Sequence, residues 1–234
     1  VAPVHDSLRR LGVEVLLGRR VSGSSPAGTG GRQRVQLLLE GGEWLTTELV
    51  LVAVGRHPNS DCLGLEGAGI QVDRRGFIRV NDRLETTAPG VFAVGDVTGL
   101  PFLAHRAMEQ GLAAAEVAAG IRDSYPNPPM PLVVYSDPEV ASVGLGEAED
   151  GSKGYGVRVG KFPFSASGRA QTLGSLAGFV KVIGDREDGR LLGAEMVGPS
   201  VSELVGECST LIGNCSTLEE LASGVHPHPT LSEA

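Results

Sequence analysis

Cysteine is scarce in this 234-residue chain, which contains only Cys62, Cys208 and Cys215. They form no C-x-x-C pair, and no histidine lies at metal-ligand spacing from them, so the sequence predicts no metal site. If Cys208 and Cys215 share a helix, about 10 Å of helical rise separates them, which exceeds the reach of a disulfide bond. We therefore expect all three to be small buried side chains in a reduced, cytoplasmic protein.

Basic residues and long apolar runs are lacking as well. The 20 Lys and Arg residues are outnumbered by 28 Asp and Glu residues, which gives a formal net charge of −8 at pH 7. This balance argues against binding to nucleic acid or to an anionic membrane surface, since both need clustered positive charge. No apolar run approaches the roughly 18 residues of a membrane-spanning helix, and we expect no signal or transit peptide. With 41% hydrophobic residues, the chain can bury the core of one or two domains.

The first 56 residues predict short elements of an α/β arrangement. We expect a helix at 5–11, a strand at 13–17, a flexible loop at 22–31, a hairpin of 35–40 with 44–48, and a strand at 49–54. The glycines of the loop do not follow a strand and open a helix, so they give no dinucleotide fingerprint. The apolar run 49–54 predicts a central strand that ends at Gly55, where backbone or ligand can come close.

The stretch 86–111 has the pattern of a strand, an acidic turn and a helix. Residues 91–94 predict a buried strand of a parallel sheet, which Gly95 and Asp96 stop, and helix-forming residues follow at 103–120. An Asp at the end of such a strand can accept hydrogen bonds from a hydroxyl-rich chain. The helix start offers free N–H groups to an electron-rich ligand. The alternative is an ordinary strand, turn and helix with a solvated Asp96.

A proline-dense segment at 125–131 predicts the clearest domain boundary in the chain. Beyond it, apolar and alternating runs predict strands of an antiparallel sheet at 132–135, 140–144, 157–164, 178–183 and 191–197. Two helices follow, one at 200–214 and a shorter one that opens with a capping box of Thr217 and Glu220. On spacing alone, this part is a self-contained α+β domain.

The last nine residues read H-P-H-P-T-L-S-E-A. Histidine can take and return a proton near neutral pH, and it does so best when a carboxylate fixes its tautomer. His228 and Glu233 lie close enough, across the start of a helix, for that pairing. The alternative is structural, because Thr230 and Glu233 also satisfy a capping box and the prolines would form a rigid turn.

Two of these stretches resemble the cofactor-binding segments of the pyridine-nucleotide disulfide oxidoreductase family. G-V-F-A-V-G-D at 90–96 with L-A-H-R-A at 103–107 resembles the family's second FAD-binding segment. L-V-A-V-G-R-H-P-N at 51–59 resembles the end of its NAD domain, which implies that Gly55 contacts NAD. The resemblance also implies that FAD is held by Asp96, Phe102, Leu103, Ala104 and His105.

The C-terminal motif resembles the family's H-x-H-P-T-L-S-E sequence, in particular that of dihydrolipoamide dehydrogenases. This implies that His228 is the acid–base group facing the redox thiols, that Glu233 orients it and that His226 is structural. It also implies an NAD-dependent flavoprotein that oxidises dihydrolipoyl groups through FAD and a redox disulfide. Such a protein is a homodimer whose partner is a dihydrolipoyl-carrying protein of a 2-oxoacid dehydrogenase complex. A glutathione or mercuric reductase type, or a non-catalytic dimerisation module, are the alternatives.

The implied fold class is α/β followed by α+β. Residues 1–56 would be the C-terminal part of a Rossmann-like NAD-binding domain and 57–124 that of the FAD-binding domain. Residues 125–234 would be the dimerisation domain, an antiparallel sheet with helices. The resemblance covers about the C-terminal half of a family member, without either G-x-G-x-x-G turn or the C-x-x-x-x-C disulfide. We therefore expect this chain alone to be inactive.

Overall fold

The computed structural model describes residues 2–28, 34–147 and 156–234. Two antiparallel sheets come from the two ends of the sequence, and the residues between them form tight turns and one long helix. Within the described ranges, no helix is both long and apolar enough to cross a membrane. The His, Cys, Asp and Glu side chains of these ranges form no cluster of three or more that could hold a metal ion.

The N-terminal part consists of a helix and a three-stranded sheet of order β1-β2-β3. Its elements are α1 (Ala2–Arg10), β1 (Val21–Ala27), β2 (Arg34–Leu39) and β3 (Trp44–Thr47). The expected hairpin is confirmed, since β2 and β3 pair antiparallel with Leu38 opposite Trp44. Gly41 and Gly42 make its turn with φ angles of +106° and +88°, which glycine adopts without strain.

The loop expected at 22–31 is wrong over its first part, because these residues belong to β1. The backbone of β1 pairs with β2, for example at Ser24 opposite Leu37. β1 is an edge strand with exposed or half-buried side chains, so it has no apolar pattern that could have predicted it. Residues 29–31 of that loop lie outside the described residues.

Three predicted strands are wrong, since 13–17, 49–54 and 91–94 are not strands. The run 49–54 shows the reason most clearly, because Leu51 and Val54 are 87% and 93% exposed. A strand that is buried on both faces needs neighbours on both sides, and no strand in the described ranges pairs with this run. Its apolar pattern shows that it is suited to burial, but not which strand would cover it.

The middle of the chain packs its turns on helix α2 (Ala104–Ala118), which lies where the sequence predicts a helix. Isolated antiparallel bridges join Val72 to Ile78, Val80 to Thr86 and Glu85 to Phe92. The buried residues Leu84, Ala113 and Ala114 are covered by Val80, Phe92, Val94 and Tyr125. The segment 91–94 therefore packs on α2 instead of joining a parallel sheet.

The C-terminal part is a five-stranded antiparallel sheet, as predicted, and its strand order is β4-β5-β8-β7-β6. Its strands are β4 (Leu132–Val134), β5 (Glu139–Gly144), β6 (Val157–Pro163), β7 (Phe179–Asp185) and β8 (Leu191–Gly198). Its helices are α3 (Gly168–Thr172), α4 (Val201–Gly213) and α5 (Leu218–Ser223). The capping box of Thr217 and Glu220 at α5 is confirmed, whereas α3 is not predicted from the sequence.

The main hydrophobic core lies between this sheet and α4, which packs on β5 and β8. It buries Ala141, Val143, Phe164, Ala170, Val180, Leu191, Ala194, Met196, Val201, Val205 and Cys208. Leu231 and Ala234 pack against the same core, so the C-terminal segment is attached to it.

The cysteines differ from one another in their surroundings. Cys208 is buried as expected, and burial raises the pKa of its thiol to about 11, with a further contribution from the nearby charge of Glu207. The expectation of burial is wrong for Cys62 and Cys215, which are exposed. Both lie in turns with positive φ, +63° and +57°, outside the helices and strands that pack together.

Candidate functional site

The 3₁₀ turn Gly95–Thr98 carries Asp96 and is packed tightly against α2. Gly95 has a φ of +77°, and a Cβ at this position would lie 3.1 Å from the Cβ of Ala107. The side chain of Gln110 reaches back from α2, and its Oε1 accepts a hydrogen bond from the Gly95 amide at 2.8 Å. The turn is therefore held in place by the helix that follows it.

Arg106 supports the other end of the same turn. This side chain is only 8% exposed, and its guanidinium donates to the carbonyl of Gly99 at 2.9 Å and to the Thr98 hydroxyl at 3.3 Å. Arg106 and Gln110 are four residues apart and share the buried face of α2 with Ala113 and Val117. Neither residue was predicted from the sequence, although two polar side chains on an apolar helix face were a usable signal.

The carboxylate of Asp96 contacts Arg56 at the edge of a small pocket. Asp96 Oδ2 lies 3.2 Å from Arg56 Nη1, and the Arg56 side chain is 71% exposed. Seven residues line the pocket of about 200 Å³, namely Arg56, His57, Pro58, Asn59, Asp96, Val97 and Phe102. Arg56 was not predicted as a site residue, and no pattern in its own segment points to a partner so far along the chain.

The beginning of α2 lies beside this pocket through Phe102. The ring of Phe102 is half-buried, with its centroid 5.9 Å from that of Phe77. The N-cap residue Leu103 is extended, and no described side chain caps the helix there, so the first amides, including that of Ala104, stay available. His105 is directed elsewhere, since its Nε2 lies 2.9 Å from the carbonyl of Pro131 in the proline-rich segment.

Of the five residues that the resemblance assigns to FAD, Asp96 and Phe102 line this pocket, Leu103 and Ala104 follow Phe102 at the start of α2, and the side chain of His105 contacts Pro131 instead. A carboxylate, uncapped helix amides and an aromatic ring fit the hydroxyl chain and the electron-rich ring edge of a flavin nucleotide. Gly55 is not part of an assembled site. It is exposed with a φ of +117°, and in the part of the chain that the structure describes no residue beyond its two chain neighbours has an atom within 4 Å of where its Cβ would be.

The predicted pair at the C-terminus forms. Nδ1 of His228 lies 2.9 Å from Oε1 of Glu233, while the amide of Thr230 donates to Oε2 at 2.8 Å. These contacts hold the pKa of Glu233 below its usual range, the Thr230 amide first and His228 next. A carboxylate can only accept, so Nδ1 of His228 carries the hydrogen and Nε2 of the neutral ring is a base. The His228 side chain is 79% exposed, which leaves Nε2 open to a reactant.

His226 contacts Glu207 on α4 and lines a groove of about 550 Å³ together with Glu233. This groove and the pocket of Asp96 share no lining residue among the described parts of the chain. The chain therefore presents two separate candidate sites, one that suits a flavin and one that suits proton transfer.

Two family models match almost the whole chain. Residues 2–111 match the pyridine nucleotide-disulphide oxidoreductase model, and residues 130–234 match the dimerisation domain of pyridine nucleotide-disulphide oxidoreductase. The second match begins within the proline-rich segment, and the two matches leave out residue 1 and the segment 112–129.

Curated relatives carry the name dihydrolipoyl dehydrogenase. That of Thermus scotoductus is 48% identical over 237 residues, covering 99% of this chain and 50% of that protein. That of Haloferax volcanii is 42% identical and covers 99% of this chain and 49% of that protein. The chain thus spans about half the length of the curated relatives it matches.

Solved structures agree with these matches. LpdA from Mycobacterium tuberculosis superposes with a TM-score of 0.89 at 30% identity, over 97% of this chain and 49% of that chain. The HOCl-induced flavoprotein disulfide reductase RclA from Escherichia coli gives a TM-score of 0.89 at 28% identity, over 99% of this chain and 53% of that chain. Sequence and fold lead to one conclusion: the chain belongs to the pyridine nucleotide-disulphide oxidoreductase family.

Proposed function

We propose that the whole protein oxidises dihydrolipoyl groups with NAD⁺ through FAD and a redox disulfide, and that this chain supplies its acid–base group. The observation that carries the proposal is the 2.9 Å contact of His228 Nδ1 with Glu233 Oε1, which leaves Nε2 exposed as a base. The names of relatives that are 48% and 42% identical support the dihydrolipoyl substrate. The free thiols of Cys62 and Cys215 support a reducing, cytoplasmic location.

We assign residues 1–56 to an NAD-binding domain, 57–124 to an FAD-binding domain and 125–234 to a dimerisation domain. The proline-rich segment that precedes β4 supports the second boundary. Gly55 would contact NAD in the whole protein, because its missing side chain leaves the backbone accessible. The described residues do not build a dinucleotide site around it, so no step of the reaction is assigned to this glycine.

FAD supplies the group that carries electrons between the disulfide and the nicotinamide when it is bound. The carboxylate of Asp96 would accept hydrogen bonds from its ribityl hydroxyls, and Phe102 would form an apolar wall. The uncapped amides at Ala104 and His105 would face its electron-rich edge, with Leu103, whose own amide donates to the Pro101 carbonyl, beside them. Arg56 can move away from Asp96 at little cost, because an exposed ion pair contributes little to stability.

His228 would take the proton that a dihydrolipoyl thiol releases when it attacks the redox disulfide. Glu233 holds the Nδ1 hydrogen in place, so the lone pair is on Nε2, and the negative charge of Glu233 stabilises the imidazolium that forms. The lowered pKa of Glu233 keeps this carboxylate ionised at neutral pH. The proton is returned from Nε2 when the reaction runs in reverse.

The protein would work as a homodimer in which His228 serves the flavin site of the other subunit. The separation of the Asp96 pocket from the groove at Glu233 within one chain supports this arrangement. The exposure of His228 is also suited to a reactant carried by another protein, the dihydrolipoyl-carrying protein of a 2-oxoacid dehydrogenase complex.

The proposal is tested by sequencing the DNA upstream of the Val1 codon and expressing the extended reading frame. We expect an extension with a C-x-x-x-x-C pair and a yellow dimer that forms NADH from NAD⁺ and dihydrolipoamide. His228→Gln should lower that rate by about 10²–10⁴-fold while the flavin stays bound. The 234-residue chain alone should show no turnover, and NAD-linked turnover by this chain would contradict the proposal.

A second candidate is a related flavoprotein disulfide reductase with another substrate. The TM-score of 0.89 to the reductase RclA supports this second candidate. The two candidates differ in their preferred disulfide or dithiol. A flavin-containing protein that ignores dihydrolipoamide but reduces another disulfide would replace the first proposal by the second.

A further inference from the structure

A second imidazole–carboxylate pair lies two residues before His228. Nε2 of His226 is 3.1 and 3.2 Å from the two carboxylate oxygens of Glu207, which lies on α4. Since a carboxylate only accepts, Nε2 carries the hydrogen in this pair. The two histidines therefore bind their carboxylates through opposite ring nitrogens, Nε2 in His226 and Nδ1 in His228.

The side chain of His226 is mostly buried, whereas that of His228 is mostly exposed. The His226 side chain is 21% exposed, and its Cε1 lies 3.3 Å from where a Cβ on Gly224 would be. With little of its side chain exposed and Nε2 bound to Glu207, the ring is held in position. This geometry is suited to fixing the chain rather than to exchanging a proton with a substrate.

A continuous set of contacts leads from α4 to His228. Glu207 holds His226, and in the next residue the Pro227 carbonyl accepts from the Thr230 hydroxyl at 2.7 Å. The Thr230 amide donates to Glu233, which binds His228. α4 itself is anchored in the main core through Val201, Val205 and Cys208.

We propose that Glu207 and His226 are positioning residues that hold the segment 226–230 on α4 and thereby fix where His228 stands. This inference rests on the proposed acid–base role of His228. Proton transfer needs the donor and acceptor atoms within hydrogen-bond reach, so a loosened segment lowers the rate of the chemical step. Binding of the dihydrolipoyl substrate changes little, because the carboxylate of Glu207 is engaged with His226 and the His226 side chain is only 21% exposed.

The test uses the whole flavin-containing protein with three substitutions on α4. Glu207→Ala removes both acceptors, Glu207→Gln keeps one acceptor, and Glu203→Gln is the matched control one turn earlier on the same helix. We expect Glu207→Ala to lower kcat by about 10- to 100-fold with KM for dihydrolipoamide almost unchanged, as a displacement of about 1 Å would do. Glu207→Gln should restore part of the loss, and the control should match the wild type.

Coupling is measured with His226→Gln. If the two residues act as one pair, the double variant that carries both Glu207→Ala and His226→Gln should be no slower than the slower of the two single variants. An unchanged kcat in Glu207→Ala overturns the proposal, and so does a loss that comes entirely from KM. If Glu207→Ala fails to fold in a thermal melt, His226→Gln decides in its place.

A spectroscopic readout separates this proposal from the proposed function. Nitrogen-15 NMR of the imidazoles should show hydrogen on Nε2 of His226, and Glu207→Ala should broaden or shift the His228 signals as well. A protein that does not oxidise dihydrolipoamide contradicts the proposed function, whereas His228 signals unaffected by Glu207→Ala contradict the positioning role.

Discussion

Glu233 offers one carboxylate oxygen to His228, with Oε1 2.9 Å from Nδ1, and uses the other for the backbone. Oε2 accepts from the Thr230 amide at 2.8 Å and completes a capping box at the 3₁₀ turn Leu231–Glu233. A histidine–carboxylate pair and a capping box, which the sequence offers as alternatives, therefore coexist. The structural contact holds the carboxylate where the histidine needs it.

Replacement of Glu233 by Gln in the whole protein should lower dihydrolipoamide oxidation by at least about 10²-fold. A Gln amide can still accept from Thr230 through its oxygen, but its NH₂ group would then face His228. Nδ1 would have to act as the acceptor, which moves the ring hydrogen to Nε2 and removes the base. Steady-state rates check this, with Glu219→Gln on α5 as a control on an exposed glutamate. Equal rates in Glu233→Gln and wild type would contradict the role of Glu233.

The same carboxylate should make stability depend on acid pH. The pKa of Glu233 is lowered from its usual value of 4.5, so the folded state favours the ionised form. Its stabilising effect is complete above that usual value and is lost as the pH falls through the lower pKa of the folded state. Melting temperatures from about pH 6 to about pH 3 should show wild type and Glu233→Gln converging as the pH falls. A constant difference across this range would show that the ionisation of Glu233 does not contribute.

Gln110 should matter for flavin binding although it lies on the buried face of α2. Gln110→Met keeps the length of the side chain but leaves the amide of Gly95 buried without its acceptor, at a cost of about 1–3 kcal/mol. If the Asp96 turn loosens by that amount, FAD binding should weaken by about 5- to 100-fold, measured by flavin fluorescence titration of the whole protein. Gln110→Glu retains an acceptor and is the control. Equal affinities for Gln110→Met and wild type would show that the turn holds without this bond.

The three thiols should react at two different rates. Cys62 and Cys215 are exposed, whereas Cys208 is buried and its pKa is raised to about 11, so almost none of it is thiolate near neutral pH. A disulfide reagent at about pH 8 should modify two thiols rapidly and the third only on unfolding. Cys208→Ala should remove the slow phase alone. Three equal rates would mean that the core around Cys208 opens readily.

The C-terminal domain could be predicted almost completely because its strands find their partners within the chain. β5, β7, β8 and α4 bury their apolar faces against one another, and β4 and β6 pair at the two edges of the sheet, so most of the burial that the pattern indicates is realised. The run 49–54 has an equally apolar pattern, yet it is exposed. The C-terminal strands have neighbouring strands to pair with and the run 49–54 has none in the described ranges. A pattern within one segment does not contain this information.

In the candidate site, too, contacts within one short motif could be predicted more easily than contacts between distant segments. The contact of His228 with Glu233 could be predicted because both residues lie in one short motif. Arg56, which binds Asp96, comes from another segment and was not predicted, and Gln110, which binds Gly95, was not predicted although it lies in the same stretch 86–111. A sequence pattern identifies the groups that can do chemistry, but the residues that hold them depend on how distant segments pack.

Substitutions in the exposed run 49–54 should have different effects in the 234-residue chain and in the whole protein. In the 234-residue chain, Leu51→Ser with Val54→Ser should reduce binding of a hydrophobic dye, because both side chains now face solvent. In the whole protein, if this run is a central strand, the same two substitutions should lower the melting temperature through lost burial. The exposed Val225→Ser is the control and should change neither measurement strongly. An unchanged melting temperature in the whole protein would mean that nothing covers this run there either, against its assignment to an NAD-binding sheet.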